Sequence, residues 1–369
     1  MIIDVVLNAL PHYRGGLVAE LERAPGFSFN WVIGESLDTS SRDTPEADVS
    51  VGSRLRVINH VIRLGKLGQH VVWQSGVVKR AFLSTADVAI FTGDAHFVST
   101  WLAAAIYRLR GAKVLMWTHG WIRRDHGLKR WARLFFYNMS DGLLLYNNRS
   151  ARLAVAHGFK KSVFVIYNSN GAVVREVPPA ANDEDREGLQ RWIIVGRLVE
   201  NKGFETAFHA AHYLGELGRE LALTVVGDGP FEKKLRALAA SLSIRADFVG
   251  SVYHQEEINR YLDEADVLIS PFNVGLSAMQ ALARGVPVAT SRDDDVQGPE
   301  AEAVIHGVTG VRFDPSDLPG MAEGVWNFVA SCDRSSVFER CVSEYQSKWT
   351  PEHQAHQMLS AVGRIRTES

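Results

Sequence analysis

Two cations, Arg197 and Lys202, stand five residues apart in Gly196-Arg197-Leu198-Val199-Glu200-Asn201-Lys202-Gly203, directly after the apolar run Trp192–Val195. Cations beside the free N–H groups of a starting helix suit the charge of a diphosphate. Either cation alone reads as a solvated surface group; their place at a strand exit, between glycines, is what singles them out. A second glycine turn, Val226-Gly227-Asp228-Gly229-Pro230, follows the next apolar run. Glycine there lets backbone approach a ligand closely, or simply makes a turn. In Ser270-Pro271-Phe272-Asn273-Val274-Gly275-Leu276-Ser277 a third run ends in a tight turn and a helix of small apolar residues begins, whose first amides can hold negative charge without a metal.

The first half carries two more clusters, Thr92-Gly93-Asp94-Ala95-His96 and Thr118-His119-Gly120-Trp121, each at the end of an apolar run. A histidine beside a carboxylate is an acid/base candidate, or a satisfied structural group. In the segment from Trp121 to Phe136, aromatic residues interleave with Arg and Lys. Two readings stay open. Trp131, Leu134 and Phe135 form a stripe that packs on a sheet, or the segment lies against anionic headgroups or diphosphate lipids. Both hold if the buried stripe leaves Arg124, Lys129, Arg130 and Arg133 outward.

Such residues need strands that end on one side of a sheet. Short apolar runs alternate with helical-period segments almost throughout, the pattern of βαβ units and parallel sheets. Strands are expected at Ile2–Leu7, Phe29–Ile33, Ala86–Phe91, Ala112–Thr118, Gly142–Tyr146 and Val163–Tyr167. After a polar, Pro-containing break at Val177–Asp185, they resume at Trp192–Val195, Leu221–Val226, Ala246–Val249, Val267–Ser270, Val286–Thr290 and Gly310–Phe313. With 369 residues this predicts two α/β domains, 1–175 and 176–350, each doubly wound, with ligands beyond the carboxyl ends of the strands.

Composition narrows the class. Hydrophobic residues make up 46% and charged residues 22%, the mix of a soluble globular protein. No apolar run is long enough to span a bilayer, and the start lacks a signal peptide's basic and apolar regions, so a cytoplasmic protein is expected. Cys332 and Cys341 have no metal-type spacing. The net charge of −2 conceals a gradient: residues 1–170 hold 21 Lys and Arg against 12 Asp and Glu, and the remainder holds 19 against 30. A basic first half attracts phosphates or anionic lipid, which adds an expectation of peripheral contact with the inner face of a membrane. No basic-aromatic array of the single-strand nucleic-acid type is present, and Gly227-Asp228-Gly229 falls short of a dinucleotide fingerprint.

Over residues 192–313 the chain resembles the family-4 retaining glycosyltransferases, which have the GT-B fold of two Rossmann-like domains facing a cleft. The matching pieces occur in the family's order: Val195-Gly196-Arg197-Leu198 with Lys202-Gly203, Val226-Gly227-Asp228-Gly229-Pro230, Phe248-Val249-Gly250, Ala265-Asp266-Val267, Gly275-Leu276, Ala281-Leu282-Ala283 with Gly285-Val286-Pro287-Val288, and Gly307-Val308-Thr309-Gly310. The first half is similar mainly in layout, through Gly15-Gly16 and Thr118-His119-Gly120. The resemblance implies that a helix from Pro351 onward (351–369) crosses back to the first domain. It implies transfer of a hexose-type sugar from a nucleotide diphosphate to a glycan or polyprenyl-diphosphate-linked acceptor, with no metal or other cofactor.

In that reading Arg197 and Lys202 hold the leaving diphosphate, His119 reaches the donor sugar, and Gly15, Gly16, Asp94 and His96 lie on the acceptor side. Gly196, Gly227, Asn273, Gly275, Leu276 and Ser277 contact the donor, and the base packs near Gly250, Val252 and Tyr253. One departure stands out. The family's two glutamates fall here at Phe272 and Gln280; an amide can still bond a ribose, whereas a phenyl ring cannot replace a carboxylate. Asn273-Val274-Gly275-Leu276 with Gln297-Gly298-Pro299-Glu300-Ala301-Glu302 resembles a variant signature of bacterial polysaccharide-type members, in which Glu300 is placed to supply the missing acid. The alternative is a catalytically silent, nucleotide- or partner-binding relative.

Overall fold

In the computed structural model the described residues are 1–35, 53–64, 69–123, 127–178 and 188–367. They divide into two compact units, Met1–Gly171 with Pro351–Ser369, and Ala172–Thr350. Each is built on a parallel sheet whose strands read as near-continuous apolar runs because both faces are covered by helices.

The first unit has a seven-stranded sheet in the order β3-β2-β1-β6-β7-β8-β9. Its strands are β1 (Ile2–Leu7), β2 (Ser28–Gly34), β3 (Ser53–Val57), β6 (Val88–Thr92), β7 (Lys113–Thr118), β8 (Gly142–Leu145) and β9 (Ser162–Val165). An antiparallel hairpin, β4 (Asn59–Leu64) and β5 (Gln69–Gln74), stands apart from the sheet. Sequence periodicity anticipates the sheet strands except β3 and misses the hairpin, where Arg63, His70 and Gln74 interrupt the apolar pattern. Helices α1 (Gly15–Arg23), α2 (Val77–Leu83), α3 (Val98–Leu109), α4 (Gly127–Asn138) and α5 (Asn148–Ala156) cover the faces. The last is started by Asn147, whose side chain accepts the Ser150 amide at 2.8 Å.

The second unit has a six-stranded sheet, order β12-β11-β10-β13-β14-β15. The strands are β10 (Leu189–Val195), β11 (Glu220–Val226), β12 (Ala246–Gly250), β13 (Val267–Ile269), β14 (Val288–Ser291) and β15 (Gly310–Phe313). Around them lie α6 (Glu205–Glu216), α7 (Glu232–Ser241), α8 (Gln255–Glu264), α9 (Leu276–Ala283), α10 (Leu318–Ser331) and α11 (Arg334–Lys348). The order 3-2-1-4-5-6 is that of the dinucleotide-binding fold, and it reverses between β10 and β13, the place where such sheets take ligands. Of the expected break at Val177–Asp185, residues 179–185 lie outside the described residues.

The terminal helix α12 (Pro351–Thr367) belongs to the first unit. Its Ala355, Met358, Ala361, Val362 and Ile365 share a core with Leu17 and Leu21 of α1. Gln354 fixes it, accepting from the Ser169 amide and hydroxyl at 3.0 and 2.7 Å and donating to the Tyr167 carbonyl at 2.9 Å. Among the described residues no helix is long and apolar enough to cross a membrane.

Helix α4 departs from expectation. Leu134 is buried, but Trp131 is 65% exposed and Phe135 64%, so they do not pack on the sheet. The buried stripe is instead Leu134, Phe136 and Tyr137. Lys129 is exposed and Arg130 half-buried. Arg133 is not outward; it lines a cavity described below. Arg124 lies outside the described residues.

The core of the first unit contains a fully buried carboxylate. Asp4 on β1 receives Nε and Nη2 of Arg80 at 2.9 and 2.7 Å, Ser84 Oγ at 2.6 Å, Asn30 Nδ2 at 2.8 Å, and the Tyr107 hydroxyl. Burial pushes its pKa up, but these donors outweigh that and hold it below the usual value of 3.8. They tie β1 and β2 to α2 and α3. Asp4→Ala should leave the half-buried Arg80 guanidinium and the buried Ser84 and Tyr107 hydroxyls without their shared acceptor and cost upwards of about 2 kcal/mol by chemical denaturation. Because the folded pKa is depressed, Asp4 stabilises wild type fully above its unfolded pKa, and this contribution falls away as pH drops through the folded value. The Asp4→Asn variant should lack that acid-side loss.

Candidate functional site

In the second unit, the loops leaving β10, β11 and β12 are bonded edge to edge. The Gly196 amide donates to the Val226 carbonyl at 3.0 Å, the Leu198 amide to Asp228 at 2.6 Å, and the Gly227 amide to the Gly250 carbonyl at 2.7 Å. This needs glycine at 227: its φ is +135°, and a Cβ there would stand 2.0 Å from the Gly196 carbonyl oxygen. The fused loops present Arg197, exposed, at the rim where the strand order reverses.

Lys202 lies in the short 3-10 turn Glu200–Lys202. Its Nζ donates to the carbonyl of Asn273, and the Phe272 amide donates to the Lys202 carbonyl at 3.1 Å. The turn after β13 is thereby latched to the turn after β10. Burial lowers the Lys202 pKa from its usual value, and the negative charge of Glu300 acts against that. Asn273 takes the left-handed conformation, φ +47°, and Gly275 follows as the N-cap of α9, with no side chain capping the helix. A cation and the start of a helix thus converge on one rim, the arrangement that holds phosphate oxygens.

A buried amide braces this rim. Gln297 accepts the Val274 amide at 3.0 Å through Oε1, and its Nε2 donates to the Pro271 carbonyl (3.1 Å), Thr290 Oγ1 (2.9 Å) and the Ser291 carbonyl (3.2 Å). Nearby Arg312 donates to the carbonyls of Ser291 and Ala301 and pairs with Asp294 at 2.6 Å. Asp293 caps the Asp295 amide, so the acidic triplet is engaged in local structure. Glu300 is buried on the 3-10 turn Pro299–Ala303, well beyond the end of β14 at Ser291.

Phe272 faces Gly203: a Cβ at 203 would sit 2.2 Å from the ring. The glutamate position of the resembled family is therefore filled by an aromatic seated on a glycine. Gln280 donates to Gln255 Oε1 at 3.4 Å. Leu276 and Ser277 open α9, Val252 is half-buried, and Tyr253 is exposed just beyond β12.

In the first unit the strand order reverses between β1 and β6, and a cavity of about 330 Å³ opens there. Asn8, Thr92, Gly93, Asp94, His96, Trp117, His119, Tyr137 and Tyr146 line it, with Arg14 and Arg133. Asp94 Oδ1 accepts from the His96 backbone amide at 3.0 Å and pairs with His96 Nδ1 at 2.9 Å; His96 also stacks on His70. His119 meets Tyr146 edge-on, 4.7 Å between ring centroids. Burial and, secondarily, the Arg14 charge lower the His119 pKa to about 4. The ring keeps an exposed side, which tempers the burial contribution. Gly15 and Gly16 are not in a loop but in the first turn of α1, and neither lines the cavity; Gly16 leaves room for the Pro351 ring.

The sequence singled out Asp94, His96 and His119 but not Arg14, Tyr137 or Tyr146. Arg14 and Tyr146 meet through a contact 132 residues apart in the chain, which no local pattern signals. In the sequence Gln297 stands out only as part of a motif.

Two outcomes are expected. Gly227→Ala should destabilise the protein by upwards of about 2 kcal/mol, measured by denaturant unfolding, through backbone strain and overlap with Gly196. In an NMR titration, the His119 ring should remain neutral down through pH 6 and protonate well below an unperturbed histidine, and Arg14→Gln should move its midpoint upward.

Residues 190–331 match the family model described as glycosyl transferases group 1. A glycogen synthase from Mycobacterium tuberculosis is 28% identical over 275 residues, 72% of this chain, and the chain spans 62% of that relative's length. An amylovoran biosynthesis glycosyltransferase, AmsK of Erwinia amylovora, is 32% identical over 143 residues, 36% of this chain and 34% of its own. Among solved structures, the lipopolysaccharide outer core galactosyltransferase WaaB in its apo form superposes with a TM-score of 0.73 at 15% identity, covering 99% of each chain. Anabaena HepE in complex with UDP gives 0.69 at 14% identity, over 98% and 99%. A putative UDP-N-acetylglucosamine 2-epimerase from Listeria monocytogenes shares the architecture at 0.62 and 14% identity, over 100% and 97%, so the fold alone does not name the reaction. The chain has the GT-B fold, and its residues 190–331 match the glycosyl transferases group 1 family.

Proposed function

We propose that this chain is a retaining glycosyltransferase that moves a hexose-type sugar from a nucleotide diphosphate to a glycan or lipid-linked acceptor, in bacterial polysaccharide or glycoconjugate synthesis. The carrying observation is the latch of Lys202 onto Asn273 beside the start of α9, with Arg197 at the same rim. In this reading the donor diphosphate sits on that rim, the base lies against Tyr253, and the ribose is within reach of the Gln280 amide. The acceptor hydroxyl attacks the anomeric carbon on the side of the leaving group. The carbon–oxygen bond to phosphate breaks with its electron pair going to the phosphate oxygen, which takes the hydroxyl proton. No protein nucleophile takes part. The cations and helix amides stabilise the growing charge, so no metal is needed.

Arg197→Ala and Lys202→Ala should each lower turnover by about 10²-fold or more. Nucleotide release from a panel of nucleotide sugars, with and without EDTA, measures this; wild-type rates in either variant would overturn the assignment, and loss of activity in EDTA would overturn metal independence.

One observation favours a second reading, a catalytically silent nucleotide-binding relative: the ring of Phe272 on Gly203 leaves no carboxylate at that position. Stoichiometric nucleotide binding without turnover for every donor would select it. Glu300, buried and acting on the Lys202 charge, is in the first reading the carboxylate that replaces the missing donor-sugar contact, and Glu300→Gln should then reduce turnover while leaving nucleotide binding intact.

The exposed face of α4 supports peripheral contact with an anionic membrane. Leu128, Trp131 and Phe135 project outward beside Lys129, the composition of an interfacial helix. The protein should co-sediment with anionic vesicles at low salt, and Trp131→Ser with Phe135→Ser should release it without changing nucleotide binding; retention of the double variant on vesicles would remove this surface from consideration.

A further inference from the structure

The cavity of the first unit has a charge balance that the donor chemistry does not use. Arg14, at the end of the 3-10 turn His12–Arg14, lies over the Trp117 ring at 4.1 Å and donates Nη2 to the Tyr146 hydroxyl at 2.7 Å. Its Nε is buried with no hydrogen-bond partner among the described residues. Burial acts against its charge, and the groups that favour it among the described residues are the hydroxyls of Tyr146 and Tyr13, with no carboxylate. Among the described residues lining the cavity the only acid is Asp94, and its Oδ1 is already engaged twice by His96. Arg133 adds a second cation from α4. Arg14 is half-buried, and a guanidinium whose Nε is kept from water without a counter-charge is costly to maintain. Stacked on an indole, it presents its donors in a fixed plane that matches an oxyanion.

We propose that this cavity binds an anionic group of the acceptor, a phosphate or a carboxylate, with Arg14 as its anchor and Arg133 as the second cation. The inference rests on the glycosyltransferase reading only in calling the ligand an acceptor; the anion site itself follows from the cavity. It confines the acceptor to acidic glycans or phosphate-bearing lipids and excludes neutral sugars as complete substrates.

The test uses the full chain with labelled histidine and three probes: methyl phosphate for a lipid headgroup, glucuronate for an acidic sugar, and glucose as the uncharged control. Methyl phosphate or glucuronate, and not glucose, should bind in the cavity and raise the His119 midpoint by about one unit, since a nearby anion favours imidazolium. Which acid binds more tightly identifies the source. Arg14→Gln should weaken that binding about 10-fold or more while UDP, GDP and ADP binding stays at wild-type strength. Should Arg14→Gln fail to fold, Arg14→Lys and Arg133→Gln replace it, with partial losses expected in both. The proposal fails if neither acid shifts His119, if the Arg14 variants bind the acid as wild type does, or if they lose nucleotide binding in parallel, which would make Arg14 a donor contact. An Arg14-dependent acid site in a protein that binds no nucleotide would uphold the cavity and sink the donor reading.

Discussion

Backbone meeting backbone without intervening side chains is the constraint on which the second unit depends. The exits of β10, β11 and β12 touch through amide–carbonyl bonds, and the Cβ missing from Gly227 makes that contact possible. From this seam the rest follows in sequence. The fused loops fix the turn that carries Lys202, and Lys202 fixes Asn273. Asn273, in a conformation disfavoured for a non-glycine residue, delivers the chain to the start of α9. The shape of the rim, on which the proposed phosphate site rests, is thus a property of main-chain geometry, with two cations added.

The first unit solves a related problem with a charge. Asp4 draws donors from β2, α2 and α3 into the centre of the sheet, which fixes the face on which those helices pack. The cavity opens at the carboxyl ends of β1 and β6, the same reversal of strand order that places the rim in the second unit. Two sheets of similar winding therefore offer two different electrostatic environments, one of amides and cations, the other of aromatics and a half-buried guanidinium.

Much of this was legible in the sequence because parallel strands covered on both faces are nearly unbroken apolar runs; Val88–Thr92 and Lys113–Thr118 need little more to be recognised. The hairpin Asn59–Gln74 was not legible, because it stands apart from the sheet and its polar residues conceal its alternation. Helix α4 shows a subtler limit. Periodicity groups Trp131, Leu134 and Phe135 on one stripe, whereas the core takes Leu134 with Phe136 and Tyr137, and nothing local says which apolar residues turn inward. Arg14 in a turn looks like any solvated arginine until the fold brings Trp117 and Tyr146 to it. Glycine and cation positions in the second unit could be read because the turns that carry them are local; Gln297 could not, since its four partners come from two separate segments.

Gln297 also ties the rim to the chemical lifetime of one amide. Its orientation is dictated by its surroundings: one oxygen faces an N–H, and one nitrogen faces two carbonyls and a hydroxyl. Hydrolysis of that side chain to glutamate changes its mass by about one dalton and leaves the shape intact, yet it turns lone pairs toward both carbonyl oxygens and adds a charge where water is excluded. Deamidation at this position would therefore unfasten the turn after β13 from the end of β14 with no cleavage of the chain. An aged preparation would keep its secondary structure and its mass on a gel while losing the shape of the rim beside Lys202 and α9.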